Sequence, residues 1–353
     1  MGPCIRRLRR GKSFRYLRPD GRPVREPRDL QRIRSLVIPP AWKDVWICGS
    51  ANGHLQAYGW DAKGRKQYRY HPLYRKTRDE TKFSRMLAFG AVLAKIRCAV
   101  DKDLGLKGLP KNKVIAAVVK LLDLTSVRIG NDEYARENNS FGLTTMRNRH
   151  VTIEGTKLLF RFRGKSGQEH AIELTDRRLA RILKECQELP GYCLFEYLAE
   201  DGCVCRIDSD DVNQYIRELA SDDFTAKDFR TWAGTVIMAR ELAALGPASS
   251  ETAGKAAIVS AIKQVSRKLG NRPATCRKYY IHPAILDSYL DGSLFPVMER
   301  GEEQNAAYSG LGLLPEEYSA MVVIASYQGN VCRQSRTNGH HRRTRNAGSA
   351  AAD

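Results

Sequence analysis

The sequence lacks any apolar run approaching the roughly 20 residues that a membrane-spanning helix needs, so it predicts no such helix. Its start, "MGPCIRRLRRGKSFRYLRPDGRP", is basic but has no apolar stretch of the secretory kind, and Met-Gly is not followed by the Ser or Thr of a myristoylation signal. No Cys-x-x-Cys pair occurs among the nine cysteines, and an odd count suits a reducing compartment better than a disulfide framework. Cys203 and Cys205 with Cys193 have no neighbouring histidine and no second knuckle, so they read as reduced thiols rather than metal ligands. The chain therefore reads as intracellular. No internal repeat is present.

Acidic residues are scarce. The 353-residue chain has 39 Asp and Glu against 59 Lys and Arg, a net charge of +20. A polyanion is the natural partner, because basic side chains release the counterions condensed on phosphates. Anionic lipid competes as a partner class, but no long basic amphipathic helix supports it. Charge of this size names a class of partner and no activity.

With 42% hydrophobic residues, the chain is long enough for two cores. Residues 1–80 are rich in Arg, Pro, Gly and aromatics, with strand-like pieces "DVWICG" and "HLQAYGWD", and predict a small β-rich domain. From Asp79 the pattern becomes helical: "DETKFSRMLAFGAVLAKIRCAV" and "NKVIAAVVKLLDLT" flank a turn at Pro110. Three strands follow, "HVTIEG", "KLLFRFR" and "EHAIEL", the last two joined by a hairpin turn at Gly164–Gly167. Helices dominate afterwards: "DDVNQYIRELA" with Ser209 as its expected cap, "TWAGTVIMARELAAL" and "KAAIVSAIKQVSRKL". This predicts an α+β fold with a larger, mainly helical domain over 81–312 that carries a three-stranded sheet. Residues 313–353 read as one short amphipathic stretch, "PEEYSAMVVI", and a basic, disordered tail.

"RGKSGQ" imitates the end of a phosphate-binding loop, but Leu159 stands where that motif needs glycine, and a hairpin is the wrong context. Nucleotide binding is rejected there. Lys165 still occupies the tip of a basic hairpin, where a flexible ammonium reaches a ligand. Arg128 in "LTSVRIGNDEYARENN" and Arg230 in "FTAKDFRTWAGT" have two readings: ordinary arginines paired to Asp132 and Asp228, or a phosphate clamp. In "LGNRPATCRKYYIHPAI", two adjacent phenols stand behind Arg277 and Lys278. A phenol becomes a usable nucleophile when cations favour its anion. Guanidiniums neutralise nonbridging oxygens as charge builds at phosphorus, and a general acid protonates the leaving oxygen.

In order, "VIPPAWKDVWIC", "GHLQAYGWDAKGRKQYRYHP", "RIGNDEYARENNSFGLTT", "FRGKSG", "TAKDFRTWAGT" and "LGNRPATCRKYYIHP" resemble the type IB DNA topoisomerases, in particular the compact bacterial enzymes similar to the poxvirus one. The resemblance covers most of the chain. It implies that Arg128 and Arg230 are the two catalytic arginines, Lys165 the general acid, and Tyr280 the nucleophile. Asn271 falls where poxvirus enzymes have histidine and many bacterial ones asparagine; it donates a hydrogen bond without carrying charge. Tyr279 is then a packing or DNA-contact residue, and His282 structural. Gln67, Tyr68 and Tyr70 in "GRKQYRYHP", with Tyr134, match DNA-contact positions. That first stretch also reads as a basic strand with a solvated face. Asn131 and Asp132 depart from the cationic residues of the viral enzyme.

The implied activity is relaxation of supercoiled duplex DNA through a 3′-phosphotyrosyl intermediate, with no cofactor, metal or nucleotide, by a monomer in the bacterial cytoplasm at the nucleoid. A tyrosine recombinase is the nearest alternative, although such enzymes usually place histidine three residues before the second arginine, where Lys227 stands. A non-enzymatic DNA-packing protein is the alternative of another class.

Overall fold

Period-two alternation and short turns build the first part of the chain as a twisted antiparallel sheet. The computed structural model describes residues 4–11, 13–62, 64–74, 83–307 and 312–329. The strands are β1 (Cys4–Arg10), β2 (Ser13–Leu17), β3 (Lys43–Cys48), β4 (Leu55–Trp60) and β5 (Lys66–Tyr70), in the order β2-β1-β3-β4-β5. Helix α1 (Pro27–Ser35) supplies Ile33 to a core with Ile5, Val24, Val45, Ile47 and Ala57. Ala57 pairs with Arg69 and Gly59 with Gln67, so those residues share the core face. The opposite face carries Trp46, Tyr58, Trp60, Lys66 and Tyr68, because Trp46 pairs with Tyr58, Tyr58 with Tyr68, and Trp60 with Lys66.

The chain divides into two compact units, Met1–Ser84 and Arg85–Asp353. The second is mainly helical. Its helices are α2 (Met86–Asp103), α3 (Lys111–Thr125), α4 (Asp132–Asn138), α5 (Arg177–Gln187), α6 (Ser209–Ala220), α7 (Ala226–Leu245), α8 (Glu251–Leu269), α9 (Pro273–Tyr279), α10 (Pro283–Leu290) and α11 (Leu294–Ala307). A further helix, α12, spans 315–329. Strands β6 (Val151–Glu154), β7 (Lys157–Arg163) and β8 (Glu169–Thr175) form an antiparallel sheet in sequence order, and β9 (Glu196–Leu198) pairs with β10 (Val204–Arg206). The α+β architecture expected from the sequence is present. Helices α4, α5, α9, α10 and α11 and the β9-β10 ribbon were not anticipated. Among the described residues no helix is long and apolar enough to cross a membrane.

Helix starts differ from the expected ones for a capping reason. Asp208, not Ser209, caps α6: its carboxylate accepts from the N–H groups of Asp210 (2.8 Å) and Asp211 (2.9 Å). Helix α7 begins five residues before Thr231, because Thr225 and Asp228 form a reciprocal capping box. Asp79 to Lys82, the expected start of the first long helix, lie outside the described residues. So does the basic tail from 330 onward.

The core of this unit centres on α3, where Val114 to Val119, Leu121 and Leu122 are all buried. Phe89 meets Phe224, Phe229 and Trp232 edge-on. At the far end Arg97 on α2 joins Asp123 on α3 (2.8 Å) to Glu317 on α12 (2.7 Å), and Trp232 on α7 donates to Glu317 (3.0 Å). One carboxylate thus ties α12 to the two helices that lead into Arg128 and carry Arg230.

Candidate active site

Two helix ends create the site. Helix α3 stops at Ser126, which takes the left-handed conformation at φ 54°, and the chain leaves it extended toward Arg128. Two glycines then let the backbone cross itself. A Cβ on Gly142 would lie 2.5 Å from Gly130 N and 2.6 Å from Arg128 O, a separation only glycine tolerates. Leu143 N–H donates to Arg128 O (2.9 Å) and Thr144 N–H to Ile129 O (2.7 Å), which pins the arginine's main chain. Helix α8 ends likewise at Gly270, φ 57°, and Asn271 N–H turns back to Ser266 O at 3.0 Å. Pro273 then opens α9 at its first turn, and Tyr280 closes it, its N–H bonded to Cys276 O (2.9 Å).

These turns bring four of the five sequence-predicted catalytic residues together. Arg230, only 4% exposed, donates to Ser126 O at the end of α3 and to Leu269 O at the end of α8 (2.7 Å). Arg128 donates to Gly270 O (3.1 Å) and to the Asn271 side-chain oxygen. The Arg230 guanidinium stands 5.3 Å from the Tyr280 ring centroid and within hydrogen-bonding reach of its hydroxyl. Gly234, one turn along α7 from Arg230, presents no side chain where Tyr280 O approaches, and Thr235 Oγ1 donates to that oxygen (3.4 Å).

Asp132 and Asp228, the acids that would have made these arginines ordinary, are engaged elsewhere. Asp132 pairs with Arg206, and Asp228 accepts from Thr225 N–H (2.8 Å). Among the described residues no carboxylate forms an ion pair with Arg128 or Arg230. Burial lowers the pKa of both guanidiniums; Arg230 is pushed down to about 10, first by burial and then by neighbouring Arg128, with Tyr280 opposing. Removing a charge from water costs several kcal/mol per ion, whereas a helix-end carbonyl returns about 2 kcal/mol at most. Arg230 Nε and Asn271 Nδ2 are moreover buried without an oxygen acceptor, the Cys276 thiol being the neighbour of the latter. The arrangement is built to hold an anion that accepts several hydrogen bonds, directly beside a phenol.

Lys165 stands apart from the other four. It lies at the β7-β8 hairpin tip with Ser166 strained at φ 64°, and its ammonium is 5.9 Å from the ring of Tyr134, a 42%-exposed residue of α4. The hairpin meets the other residues through His170 on β8, which sequence reasoning passed over. A Cβ on Gly270 would lie 2.4 Å from that imidazole. Tyr279 has the Lys278 ammonium 5.3 Å from its ring. His282, 4% exposed, caps α10 by accepting from Ala284 N–H at 3.0 Å, as its expected structural role requires.

In the first unit the three predicted contact residues occupy β5, a sheet edge, and divide between its faces. Gln67, on the core face, donates to Asp61 (3.0 Å). Tyr68 and Tyr70 stack at 6.1 Å. Tyr68 joins Trp46, Tyr58 and Trp60 in an aromatic face with Lys66 over it, 4.4 Å from the Tyr58 ring. The alternation of Tyr58 and Trp60 in "HLQAYGWD" was the signal for this larger surface.

Two family models match the chain. One described as the catalytic core of eukaryotic DNA topoisomerase I matches residues 71–293, and one described as the N-terminal domain of bacterial DNA topoisomerase IB matches 13–61. DNA topoisomerase 1B of Acanthamoeba polyphaga mimivirus is 31% identical over 307 residues, 85% of this chain and 91% of that protein. DNA topoisomerase 1B of Vaccinia virus (strain Copenhagen) is 23% identical over 249 residues, 69% of this chain and 74% of that protein. DNA topoisomerase 1 of Rabbit fibroma virus is 25% identical over 239 residues, 65% and 70% of the two chains.

Proposed function

The chain belongs to the type IB DNA topoisomerases, and from that premise we propose that it relaxes supercoiled duplex DNA with Tyr280 as its nucleophile. The Tyr280 oxygen attacks a backbone phosphorus, forming a 3′-phosphotyrosyl ester as the bond to the 5′ oxygen breaks. Arg128 and Arg230 take the two nonbridging oxygens, and Asn271 adds an uncharged donor. Lys165 gives its proton to the departing 5′ oxygen and recovers it when the 5′-hydroxyl attacks back. The ester conserves the energy of the diester, so ATP is not consumed, and the guanidiniums take the electrostatic role that Mg²⁺ has in metal-dependent cleavage. A single chain carries all five groups, so a monomer suffices. In this reading the substrate is chromosomal DNA at the nucleoid.

One observation carries this reading: a buried guanidinium, Arg230, and a half-buried one, Arg128, neither paired with a carboxylate among the described residues, converge beside one phenol. The recombinase alternative is not favoured, since the matching descriptions are all of topoisomerases. Incubation with supercoiled plasmid in EDTA, denaturation with detergent and peptide mapping test the proposal. Relaxed plasmid and nucleotide on Tyr280 are expected, and Tyr280→Phe retains DNA binding while forming no covalent complex. Nucleotide on Tyr279, or relaxation that requires Mg²⁺ or ATP, contradicts it.

A further inference from the structure

Lys165 and the four converging residues are carried on separate elements, yet a proton must reach the oxygen that leaves the same phosphorus. Something must set the hairpin's distance from the rest of the site. The imidazole of His170 occupies that place. In the β7-β8 register it lies opposite Phe162, and the two rings stack at 4.9 Å with 11° between their planes. Phe162 is buried, so it forms a firm floor for the imidazole. The far edge of the ring touches two glycines. A Cβ on Gly164 would lie 2.7 Å from both Cδ2 and Nε2 of His170, and one on Gly270 would lie 2.4 Å from Cε1.

Gly164 has φ −95°, a conformation open to any residue, so its missing side chain makes room for the ring rather than for a turn. It immediately precedes Lys165. Gly270 immediately precedes Asn271, and its carbonyl accepts from Arg128 at 3.1 Å. One ring is therefore wedged between the residue before the proton donor and the residue before the phosphate-facing amide. Burial, then Arg128 and Arg230, lower the imidazole pKa, with Glu169 opposing, so the ring stays neutral beside the two guanidiniums.

We propose that His170 is a positioning residue, a rigid spacer that fixes the Lys165 hairpin against the Gly270–Asn271 corner so that the ammonium meets the leaving 5′ oxygen. This rests on the reading of Lys165 as the general acid. The test uses duplex oligonucleotides with either the ordinary 5′ oxygen or a 5′-bridging sulfur at the cleavage site. A thiol with pKa about 8.5 departs as thiolate without a proton, whereas an alkoxide does not. A 1 Å misplacement costs on the order of 10²-fold in rate. His170→Ala and Gly164→Ala should each slow single-turnover cleavage of the oxygen substrate by roughly that factor. Both should cleave the sulfur substrate at the wild-type rate.

Lys165→Ala is the control. If sulfur fails to restore it, the assignment of Lys165 falls, whatever His170 does. If sulfur restores Lys165→Ala but leaves His170→Ala slow, or if His170→Ala cleaves the oxygen substrate normally, the spacer role is overturned. Should His170→Ala not fold, Gly164→Ala decides by the same comparison, since it keeps the imidazole and displaces it.

Discussion

Replacing Gly234 by alanine adds one methyl group to α7, and the structure says where it goes. The new Cβ would lie 2.4 Å from Tyr280 O, 3.1 Å from Tyr280 Cβ and 3.1 Å from Leu269 Cδ1. The leucine side chain can rotate away; the carbonyl cannot. Comfortable contact begins at about 3.5 Å, so the tyrosine's backbone must retreat by roughly 1 Å. A displacement of that size at a reacting group costs about 10²-fold, or about 2.7 kcal/mol in the barrier. In the fold itself the terms offset: overpacking costs about 1–3 kcal/mol, while alanine in a helix interior is about 1 kcal/mol better than glycine. Single-turnover cleavage of a duplex should therefore slow about a hundredfold with DNA affinity unchanged and a melting temperature within a few degrees. Cleavage at the wild-type rate would refute the claim that Gly234 seats the nucleophile.

Arg230→Lys should lose about 10²–10³-fold in cleavage rate, because an ammonium cannot hold Ser126 O and Leu269 O while also presenting a planar fork to phosphate; near-normal kinetics would contradict the clamp. Glu317→Gln should lower stability by about 3 kcal/mol in urea titration, as it removes one of the two carboxylates that balance the Arg97 charge. Burial would raise the Glu317 pKa, but Arg97, Leu314 N–H and Trp232 together hold it below the ordinary carboxylate range. Its contribution is thus complete above about pH 4.5 and fades as pH falls through the lowered folded value. Melting temperature measured between pH 7 and 3 should show the wild-type advantage over Glu317→Gln shrinking toward the acid end.

Local periodicity made the large elements legible. Alternating Phe160 and Phe162 marked β7, and the apolar run of α3 marked the buried helix. Boundaries slipped where a capping box lay upstream of the expected start, at Asp208, one residue before Ser209, and at Thr225, six before Thr231. Of the site, the resemblance assigned five residues, but their partners were invisible. Helix-end carbonyls, not Asp132 or Asp228, receive the arginines, and carbonyls have no letter in a sequence. His170 and Gly234 were missed for the same reason. Their importance arises from approach distances across 100 and 46 positions of chain, to Gly270 and Tyr280, and neither belongs to a local pattern.

The moorings of Arg230 carry a consequence for how this site can change over time. A carbonyl oxygen is present whatever residue occupies 126 or 269, so substitutions there leave the anchor chemically intact. What matters is where α3 and α8 stop. Each residue of an α-helix turns it by about 100°. Inserting one amino acid into α8 would swing Leu269 O away from the guanidinium while every catalytic side chain survived. Under the proposed role of Arg230, helix length is itself a determinant of catalysis, and an insertion inside α8 should prove far less tolerable than a replacement.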